Sequence, residues 1–400
     1  MAHAQTQSVH PVPGKYTAGK TIKTIYSVAI FVGLVLTALG LFKDPNRTWF
    51  SYLISYFYFT CLGLGGLFFA AIQHVTKAGW SVNVRRLAES MSSFLPIAAL
   101  GSLVLLFGAK ELYIWLNPDI VSGDALLQGK SGYLNQTFFI IRLAIFFIGW
   151  LLFKKLIVGG SIKQDEDGDE SHTVKNVGYS IAFVLFFALS FSLFSVDVLM
   201  SLQPHWYSTI WGVYCFSGLF QSTMAVLIIL TVRMMEKGLV RGLLSEDHLH
   251  DLGKFLKAFT VFMAYIGFSQ FILIWYANLP EETIFYLTRA NGGWMAISLS
   301  LLIFKFIVPF VLLLPRGAKR NPGHLVLVST IVLIMQYVDI YWMVYPNMTD
   351  KPVFSWQECG TFLLFGGLFL WSIAKFLTKH NVVPIKDPRI DESIHHHVSY

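Results

Sequence analysis

Long apolar segments alternate with short polar segments along almost the whole chain. A helix that crosses a bilayer needs about 20 mainly apolar residues, and ten segments reach that length. Strands of a membrane barrel would be about half as long and would alternate in polarity. The pattern therefore predicts an all-α integral membrane protein with ten transmembrane helices, at residues 23–42, 48–74, 88–116, 134–157, 176–202, 206–233, 252–278, 291–314, 323–345 and 355–378.

Lysine and arginine are distributed unequally between the two sides of these spans. The N-terminal segment, the segments after even-numbered spans and the C-terminal segment hold 22 of the 30. Because cytoplasmic loops are enriched in both residues, we expect both chain termini in the cytoplasm. Residues 1–22 then form a cytoplasmic N-terminal tail, 154–175 an acidic, solvated cytoplasmic loop, and 379–400 a cytoplasmic C-terminal tail.

Composition supports the membrane assignment, and the cysteines and histidines limit which metal or redox sites the chain could contain. Of the residues, 55% are hydrophobic and 13% are charged, whereas soluble domains carry about 25% charged residues. The three cysteines, Cys61, Cys215 and Cys359, are far apart and form no C-x-x-C or haem-attachment motif. No histidine pair lies at matching depth for a b-type haem. We therefore expect no metal site and no redox centre in this chain.

Two of the predicted spans end in similar sequences. The fifth ends in SVDVLMSLQP and the ninth in YVDIYWMVYP, so proline follows the acid by seven residues in both, Asp197 to Pro204 and Asp339 to Pro346. Parallel repeats of this kind occur in membrane carriers. The match predicts two parallel-repeat four-helix bundles, helices 2–5 (about 48–202) and 6–9 (about 206–345). Helices 1 and 10 flank them within one membrane domain, 23–378.

Polar side chains within the spans are candidates for function. Inserting a charged side chain at the centre of a membrane helix costs roughly 2.5–3.5 kcal/mol, and residues kept there in spite of this cost often mark ion or proton pathways. One interpretation is a proton path built from titratable groups. The other is a structural clamp in which Arg142 neutralises Asp197 or Asp339, while Lys305, with no acid on its own helix face, extends toward water. The path candidates are Asp197, Asp339, Lys305, Arg142, Tyr265, Gln270, Tyr276, Ser298, Gln336, Lys254 and Asp251.

The short segment PHWY after the fifth span holds a second group of candidates, His205, Trp206 and Tyr207. Aromatic side chains at this depth are typical of anchors at the lipid–water interface. The histidine also suits proton exit or contact with a quinone. The sequence favours neither interpretation over the other.

Two longer stretches resemble a known family. SVDVLMSLQPHWYSTIWGVYCFSG and LGKFLKAFTVFMAYIGFSQFILIWYANLPEETIFY are similar to the F subunit of bacterial alternative complex III, in the NrfD-like (polysulfide-reductase-like) membrane family. The resemblance implies a multi-pass inner-membrane subunit of a respiratory quinol:cytochrome c (or high-potential acceptor) oxidoreductase. It also implies proton conduction through Asp197, Asp339, Lys305, Tyr265 and the neighbouring polar groups, and it makes a quinone contact a candidate role.

The same resemblance implies partners and places the redox centres in them. They are a paralogous NrfD-like C subunit, an iron–sulfur/molybdopterin-type B subunit, multihaem cytochrome c subunits, small membrane subunits and lipids, with no nucleic acid. Haem c and iron–sulfur clusters would then lie in the partner subunits. Two other functions fit the residues, a stand-alone secondary transporter and a purely structural scaffold. Transporters usually contain helices interrupted near the midplane, and Gly63, Gly65 and Gly66 come nearest to that pattern.

Overall fold

The computed structural model describes residues 13–398, and that range contains helices and no strand. Ten of its helices are long and apolar enough to cross a membrane, which confirms the predicted all-α fold with ten transmembrane segments. They are numbered in chain order: α1 Lys20–Lys43, α2 Pro45–Val75, α3 Gly79–Leu112, α4 Gln136–Asp167, α5 Ser171–Leu202, α6 Trp211–Glu236, α7 Glu246–Ala277, α8 Trp294–Leu312, α9 Pro322–Asn347 and α10 Trp356–Lys379.

Shorter helices lie outside the ten spans. Two of them, Pro118–Ser122 and Ala125–Lys130, follow α3, and Pro280–Ala290 follows α7. A fourth, Ile390–Ile394, lies after α10. Because the number of spans is even, the start of α1 and the end of α10 lie at one end of the bundle. We call this lysine- and arginine-rich end the basic end, and the other the opposite end.

The predicted bounds differ from the structure at the basic ends of α3, α4 and α5. Most of the acidic segment 154–175 is helical, and α4 joins α5 through residues 168–170 alone. Gly168 ends α4 with φ of 74°, a left-handed conformation that glycine adopts without steric cost. The length of an apolar run reports only the part of a helix that lies in the hydrocarbon of the bilayer. The helix itself can continue into water, because its backbone hydrogen bonds are made within the helix. The predicted acidic loop is therefore mainly an extension of two helices.

Helices α2 and α6 occupy the centre of the bundle. In their most apolar stretches 94% and 83% of the residues are buried, compared with 11% in α8. The two central helices approach closely where Gly65 faces Thr223, since a Cβ at Gly65 would lie 1.8 Å from the Thr223 hydroxyl. Small residues let membrane helices pack this closely. The glycines at 63, 65 and 66 lie within the continuous helix α2 and interrupt nothing.

The chain after α10 folds back onto the basic end. Asp387 forms a buried ion pair with Arg85 at the start of α3. The Ile385 amide donates to Asp165 of α4 at 3.0 Å, and the Ser393 hydroxyl donates to the Trp80 carbonyl at 2.8 Å. The described part of the predicted C-terminal tail is therefore packed against α3 and α4.

We predict that Asp387→Asn loosens this segment. Removing one partner of a buried pair costs about 3–5 kcal/mol, and Glu89, 3.7 Å from Arg85, recovers part of that cost. Hydrogen–deuterium exchange at residues 385–394 should become at least about 10-fold faster, which corresponds to about 1.4 kcal/mol. Glu392→Gln, which changes an exposed carboxylate in the same segment, is the matched control. Equal protection in the two variants would contradict the prediction.

The same ion pair predicts how the docked segment depends on pH. Burial raises the pKa of Asp387, but Arg85 outweighs it, so the net pKa is lowered. A lowered pKa in the folded chain means that the stabilisation is complete above the unfolded value of about 3.9 and is lost as pH falls through the folded value. Exchange at residues 385–394, corrected for its intrinsic rate, should stay constant from about pH 5 to 8. A pH-dependent loss of protection within that window would argue against it.

Candidate functional site

A lysine and an aspartate form an ion pair within the bundle. The Lys305 ammonium of α8 donates to Asp339 Oδ2 of α9 at 2.5 Å, and the two side chains are 2% and 3% exposed. The other carboxylate oxygen accepts from the Tyr214 hydroxyl of α6 at 2.6 Å. We call these three residues the Lys305–Asp339 centre. Lys305 has no acid on its own face of α8, as the sequence indicates. The neighbouring α9 supplies the acid, and the Lys305 side chain therefore does not extend toward water.

Local backbone geometry places Lys305 in this position. Residues Leu301–Ile307 form a π-helical segment within α8, and such segments are frequent at functional sites. Pro309 lacks the amide hydrogen that would bond the Lys305 carbonyl in an α-helix. That carbonyl instead accepts from the Gln221 side chain of α6 at 3.4 Å. The widened turn therefore lies at the residue that carries the charge.

A cavity of about 480 Å³ adjoins the centre, between α7, α8, α9 and the short helix Pro280–Ala290. Its rim includes the exposed side chains of Phe268, Leu299 and Leu302, which face the lipid side of the bundle. A pocket with an apolar mouth and a few converging polar groups is typical of small-molecule sites. The polar side chains that line it are Tyr214, Gln270, Tyr286, Arg289, Ser298, Lys305 and Asp339.

Four of the residues predicted from the sequence meet at this cavity: Gln270, Ser298, Lys305 and Asp339. The Gln270 amide nitrogen donates to the Tyr286 hydroxyl at 3.2 Å. The Ser298 hydroxyl accepts from the Trp342 indole at 2.8 Å. These bonds fix the polar wall of the cavity on α7, α8 and α9.

Arg289 lies at the opposite end of the cavity wall, in the segment between the seventh and eighth predicted spans. It is buried, and its guanidinium donates to the carbonyls of Trp342 and Met343 on α9 at 3.0 and 2.8 Å. It also stacks on Phe285, 3.5 Å from the ring centre. Proline at the first helical position followed by two acids, as in PEE at 280–282, signals a helix start. That signal could have identified the helix that carries this arginine.

Two glutamines continue the polar groups from the centre toward the basic end. Gln336, one turn before Asp339 on α9, packs against Gly218 of α6, and its amide oxygen has no hydrogen-bond partner among the described residues. Gln221, one turn further along α6, donates to the Thr260 hydroxyl of α7 at 3.0 Å. Gln336 was predicted, whereas Gln221 was missed because it lies in the most apolar part of its helix.

The remaining candidates on α7 do not join the centre. Tyr265 and Tyr276 are 64% and 84% exposed on the lipid-facing surface. Asp251 and Lys254 pair with each other at 2.5 Å. They precede Gln270 by 19 and 16 residues, or about 28 and 24 Å along the helix axis at 1.5 Å per residue. Of the candidates in the membrane-spanning part of α7, Tyr265 and Tyr276 therefore face outward, whereas Gln270 points inward.

Arg142 and Asp197 form a second buried ion pair, between α4 and α5. Arg142 Nε lies 2.7 Å from Asp197 Oδ2, and its Nη1 donates to the Tyr133 carbonyl at 2.9 Å. The guanidinium also lies over the rings of Tyr133 and Phe138, at 3.9 and 4.4 Å. Of the two acids considered for a clamp, Asp197 is therefore the one that Arg142 meets.

The PHWY segment separates into three different environments. His205 Nε2 lies 2.5 Å from Asp124 Oδ2 in a partly exposed pair. The backbone amide of Leu127 and the His205 side chain lower the pKa of Asp124. Trp206 is buried, stacks on Phe285 at 4.2 Å between ring centres and donates to the Glu282 carbonyl, whereas Tyr207 is exposed. Trp206 thus packs beneath the short helix, and His205 stays at the surface.

A third cluster of buried charge, missed in the sequence, lies at the basic end. Arg86 pairs with Glu89 at 3.1 Å and with Asp165 at 2.6 Å, and both Arg86 and Glu89 are fully buried. The spacing of three residues is typical of ion pairs on one helix. The cluster was overlooked because Arg86 precedes the apolar run that marked the third span, Glu89 lies at its edge and Asp165 lies beyond the fourth span.

Within residues 13–398 no group of three histidine, cysteine, aspartate or glutamate side chains is arranged to hold a metal ion. The chain matches no protein-family model and no curated protein sequence. The resemblance noted above thus remains an expectation, and the proposal of function depends on the geometry of the site.

The contacts of Arg142 predict that its pair with Asp197 is structural. Arg142→Met leaves a buried carboxylate uncompensated and should cost about 3–5 kcal/mol. Asp197→Asn combined with Arg142→Met removes that charge and should restore part of the loss. A double-mutant cycle on the thermal midpoint of the purified protein measures the coupling. Additive effects of the two substitutions would contradict a clamp.

Proposed function

We propose that this chain is a cofactor-free membrane subunit of a bacterial respiratory complex that oxidises quinol and passes electrons to cytochrome c or another high-potential acceptor. Within it, the Lys305–Asp339 centre transfers protons. The observation that carries the proposal is a buried carboxylate, paired with a lysine and hydrogen-bonded by a phenol, at the wall of a cavity whose rim faces lipid.

The chemistry of the centre suits a proton acceptor beside an apolar substrate. Oxidation of a quinol releases two protons, and an oxygen base must lie within hydrogen-bond reach to accept one. One oxygen of the Asp339 carboxylate pairs with Lys305, and the other accepts from the Tyr214 hydroxyl, which can pass its proton to Asp339 as it takes one from the quinol. A proton on Asp339 removes the charge that holds Lys305, so the lysine is then free to donate elsewhere. Haem c and iron–sulfur clusters of partner subunits would accept the electrons.

A route from the centre toward the basic end follows α6 and α9. Gln336 of α9 and Gln221 of α6 lie along it, and Gln221 donates to the Thr260 hydroxyl of the adjacent α7. Amides do not titrate in the ordinary range, but with ordered water they can carry a hydrogen-bond chain. The positive-inside rule makes the basic end cytoplasmic, in the bacterial inner membrane. We propose that protons move between that side and the cavity along this interface.

Two observations support the proposed parallel repeats, α2–α5 and α6–α9. Arg142 and Asp197 pair α4 with α5, and four helices later Lys305 and Asp339 pair α8 with α9. The central helices α2 and α6 each begin one repeat. In the second repeat the pair adjoins the cavity, and in the first it is the clamp. The proposed partners are the paralogous NrfD-like C subunit, an iron–sulfur/molybdopterin-type B subunit, multihaem cytochromes c and small membrane subunits.

One observation favours a second candidate, a secondary transporter. The π segment and Pro309 interrupt the regular hydrogen bonding of α8 beside a buried ion pair, and transporters bind substrates at such discontinuous helices. Purification from native membranes separates the two. A subunit of the complex should co-purify with haem c and iron–sulfur proteins, whereas a transporter should be recovered as a single polypeptide.

We predict that Asp339→Asn, tested in the assembled complex, lowers quinol oxidation at least about 10-fold, since loss of a general base typically costs 10²–10⁴-fold. Lys305→Met should lower the rate and the proton yield per quinol together. Haem content, measured by absorbance, should be unchanged in both variants.

Tyr265→Phe and Tyr276→Phe serve as controls for this test. Both hydroxyls lie on exposed side chains of α7, so the two variants should retain the wild-type rate and proton yield. Wild-type turnover and proton yield in Asp339→Asn with normal haem content would exclude the proton role and leave a scaffold.

A further inference from the structure

The cavity beside the Lys305–Asp339 centre has a second polar wall, which the proposed proton transfer does not use. This wall is formed by the short helix Pro280–Ala290, and Tyr286 and Arg289 of that helix line the cavity. The two residues are three positions apart, so they lie on one face of the helix. We call them the donor wall, because both can donate hydrogen bonds to a ligand.

Arg289 carries a buried positive charge that meets no carboxylate within residues 13–398. It is 2% exposed, and its Nε, Nη1 and Nη2 atoms donate to the carbonyls of Trp342, Phe285 and Met343 at 3.0, 2.8 and 2.8 Å. A guanidinium has five N–H groups, so two of them remain after these three bonds. The Phe285 ring stacks on the guanidinium, and stacking leaves the N–H groups in the guanidinium plane open to a ligand.

The other buried arginines of the described chain show that this arrangement is unusual. Arg85 pairs with Asp387, Arg86 with Glu89 and Arg142 with Asp197. A cation removed from water is costly unless an opposite charge or enough hydrogen bonds satisfy it. The three carbonyls that Arg289 binds offer dipoles but no formal charge. An oxygen that carries negative charge, placed in the cavity, would complete the contacts of Arg289.

Tyr286 supplies a further donor on the same wall. Its hydroxyl oxygen accepts from the Gln270 amide at 3.2 Å, and the Gln270 carbonyl oxygen accepts from the Ser208 hydroxyl at 3.3 Å. These two bonds fix the direction of the amide. A phenol can accept and donate at once, and for the Tyr286 hydroxyl hydrogen the described residues provide no acceptor. That hydrogen is therefore available to a ligand.

The two polar walls of the cavity ask for different oxygens on the ligand. At the Lys305–Asp339 centre a hydroxyl can give up its proton, whereas the donor wall binds an oxygen that accepts. Asp339 and Trp342, whose carbonyl Arg289 binds, are three residues apart on α9, or about 4.5 Å along the helix axis. The rest of the cavity is lined mainly by apolar side chains. A ligand that meets both walls needs two oxygens on one small apolar ring.

We propose that Arg289 and Tyr286 bind the second oxygen of the quinol, while its first oxygen faces the Lys305–Asp339 centre. This orientation rests on the proposed quinol-oxidising function and assigns each end of the ring to one wall. Arg289 and Tyr286 then determine specificity, because they favour a ring with two oxygens over a ring with one. The donor wall sets the affinity, and the Lys305–Asp339 centre takes the proton.

The test measures binding of duroquinone to the purified full-length protein in detergent. Quenching of tryptophan fluorescence reports the affinity, since Trp342 lines the cavity. Arg289→Gln should weaken binding at least about 10-fold, because it removes hydrogen bonds from a charged donor, and Tyr286→Phe should weaken it about 3- to 10-fold. Arg233→Gln and Tyr265→Phe are the matched controls, since both side chains are exposed, and they should bind duroquinone as the wild type does.

A second probe, tetramethylphenol, distinguishes a lost contact from a lost structure. It keeps the methylated ring but has one oxygen, and its affinity is measured by competition with duroquinone. Its hydroxyl should occupy the Lys305–Asp339 centre, so Arg289→Gln and Tyr286→Phe should bind it with wild-type affinity. Equal weakening of both probes would overturn the proposal. If Arg289→Gln loses its thermal transition, Tyr286→Phe decides with the same two probes.

Asp339→Asn separates the orientation of the ring from the proposed proton transfer. Duroquinone has no proton to give, so this variant should bind it with wild-type affinity. If Asp339→Asn lowers turnover while Arg289→Gln and Tyr286→Phe bind duroquinone like their controls, the orientation is wrong and the proton role stands. If Asp339→Asn keeps its turnover while both donor-wall variants bind more weakly, the orientation stands and the proton role is wrong. A wild-type protein without saturable duroquinone binding would overturn the orientation.

Discussion

Neutralisation of buried charge is the constraint on which the arrangement of this bundle depends. Removing an ion from water costs several kcal/mol, and the interior repays that only when an opposite charge lies in good geometry. Arg142 meets Asp197, Lys305 meets Asp339 and Arg86 meets Glu89. Each of the first two pairs joins neighbouring helices, so it also fixes their register. Displacing either helix by one turn would leave two ions without partners.

The Arg142–Asp197 and Lys305–Asp339 pairs use different cations, and this difference is the basis of the different roles proposed for them. Arginine presents a rigid planar fork, whereas lysine carries a compact charge on a flexible stem. Arg142 contacts a carboxylate, a carbonyl and two aromatic rings at once, so it cannot move without losing all of them. Lys305 has one carboxylate partner in a widened helical turn beside a cavity. Lys305 therefore has fewer contacts to lose than Arg142 when it changes partner.

Hydropathy predicted the ten spans because the bilayer demands long apolar helices, and it identified Lys305 and Asp339 because charges in such helices are rare. Hydropathy could not predict that Lys305 and Asp339 meet. The spacing of residues shows which side chains share one face of a helix, but it does not show which helix packs against that face. Gln270 and Tyr265 show the resulting error, because a difference of five residues on α7 separates a cavity wall from the lipid surface. Arg289 and Arg86 escaped notice because both lie outside the apolar runs.

Side-chain hydrogen bonds fix both ends of helix α8, whereas its middle turns lack some of the regular helical hydrogen bonds. At the basic end Lys319 binds its last carbonyls, and at the opposite end the Ser298 hydroxyl donates to the Arg289 carbonyl. Between them Pro309 and the π segment remove regular hydrogen bonds around Lys305. Fixed ends confine any movement to the middle turns, where the lysine meets Asp339 and the cavity. A change of protonation at Asp339 would therefore act on Lys305 without displacing the helix as a whole.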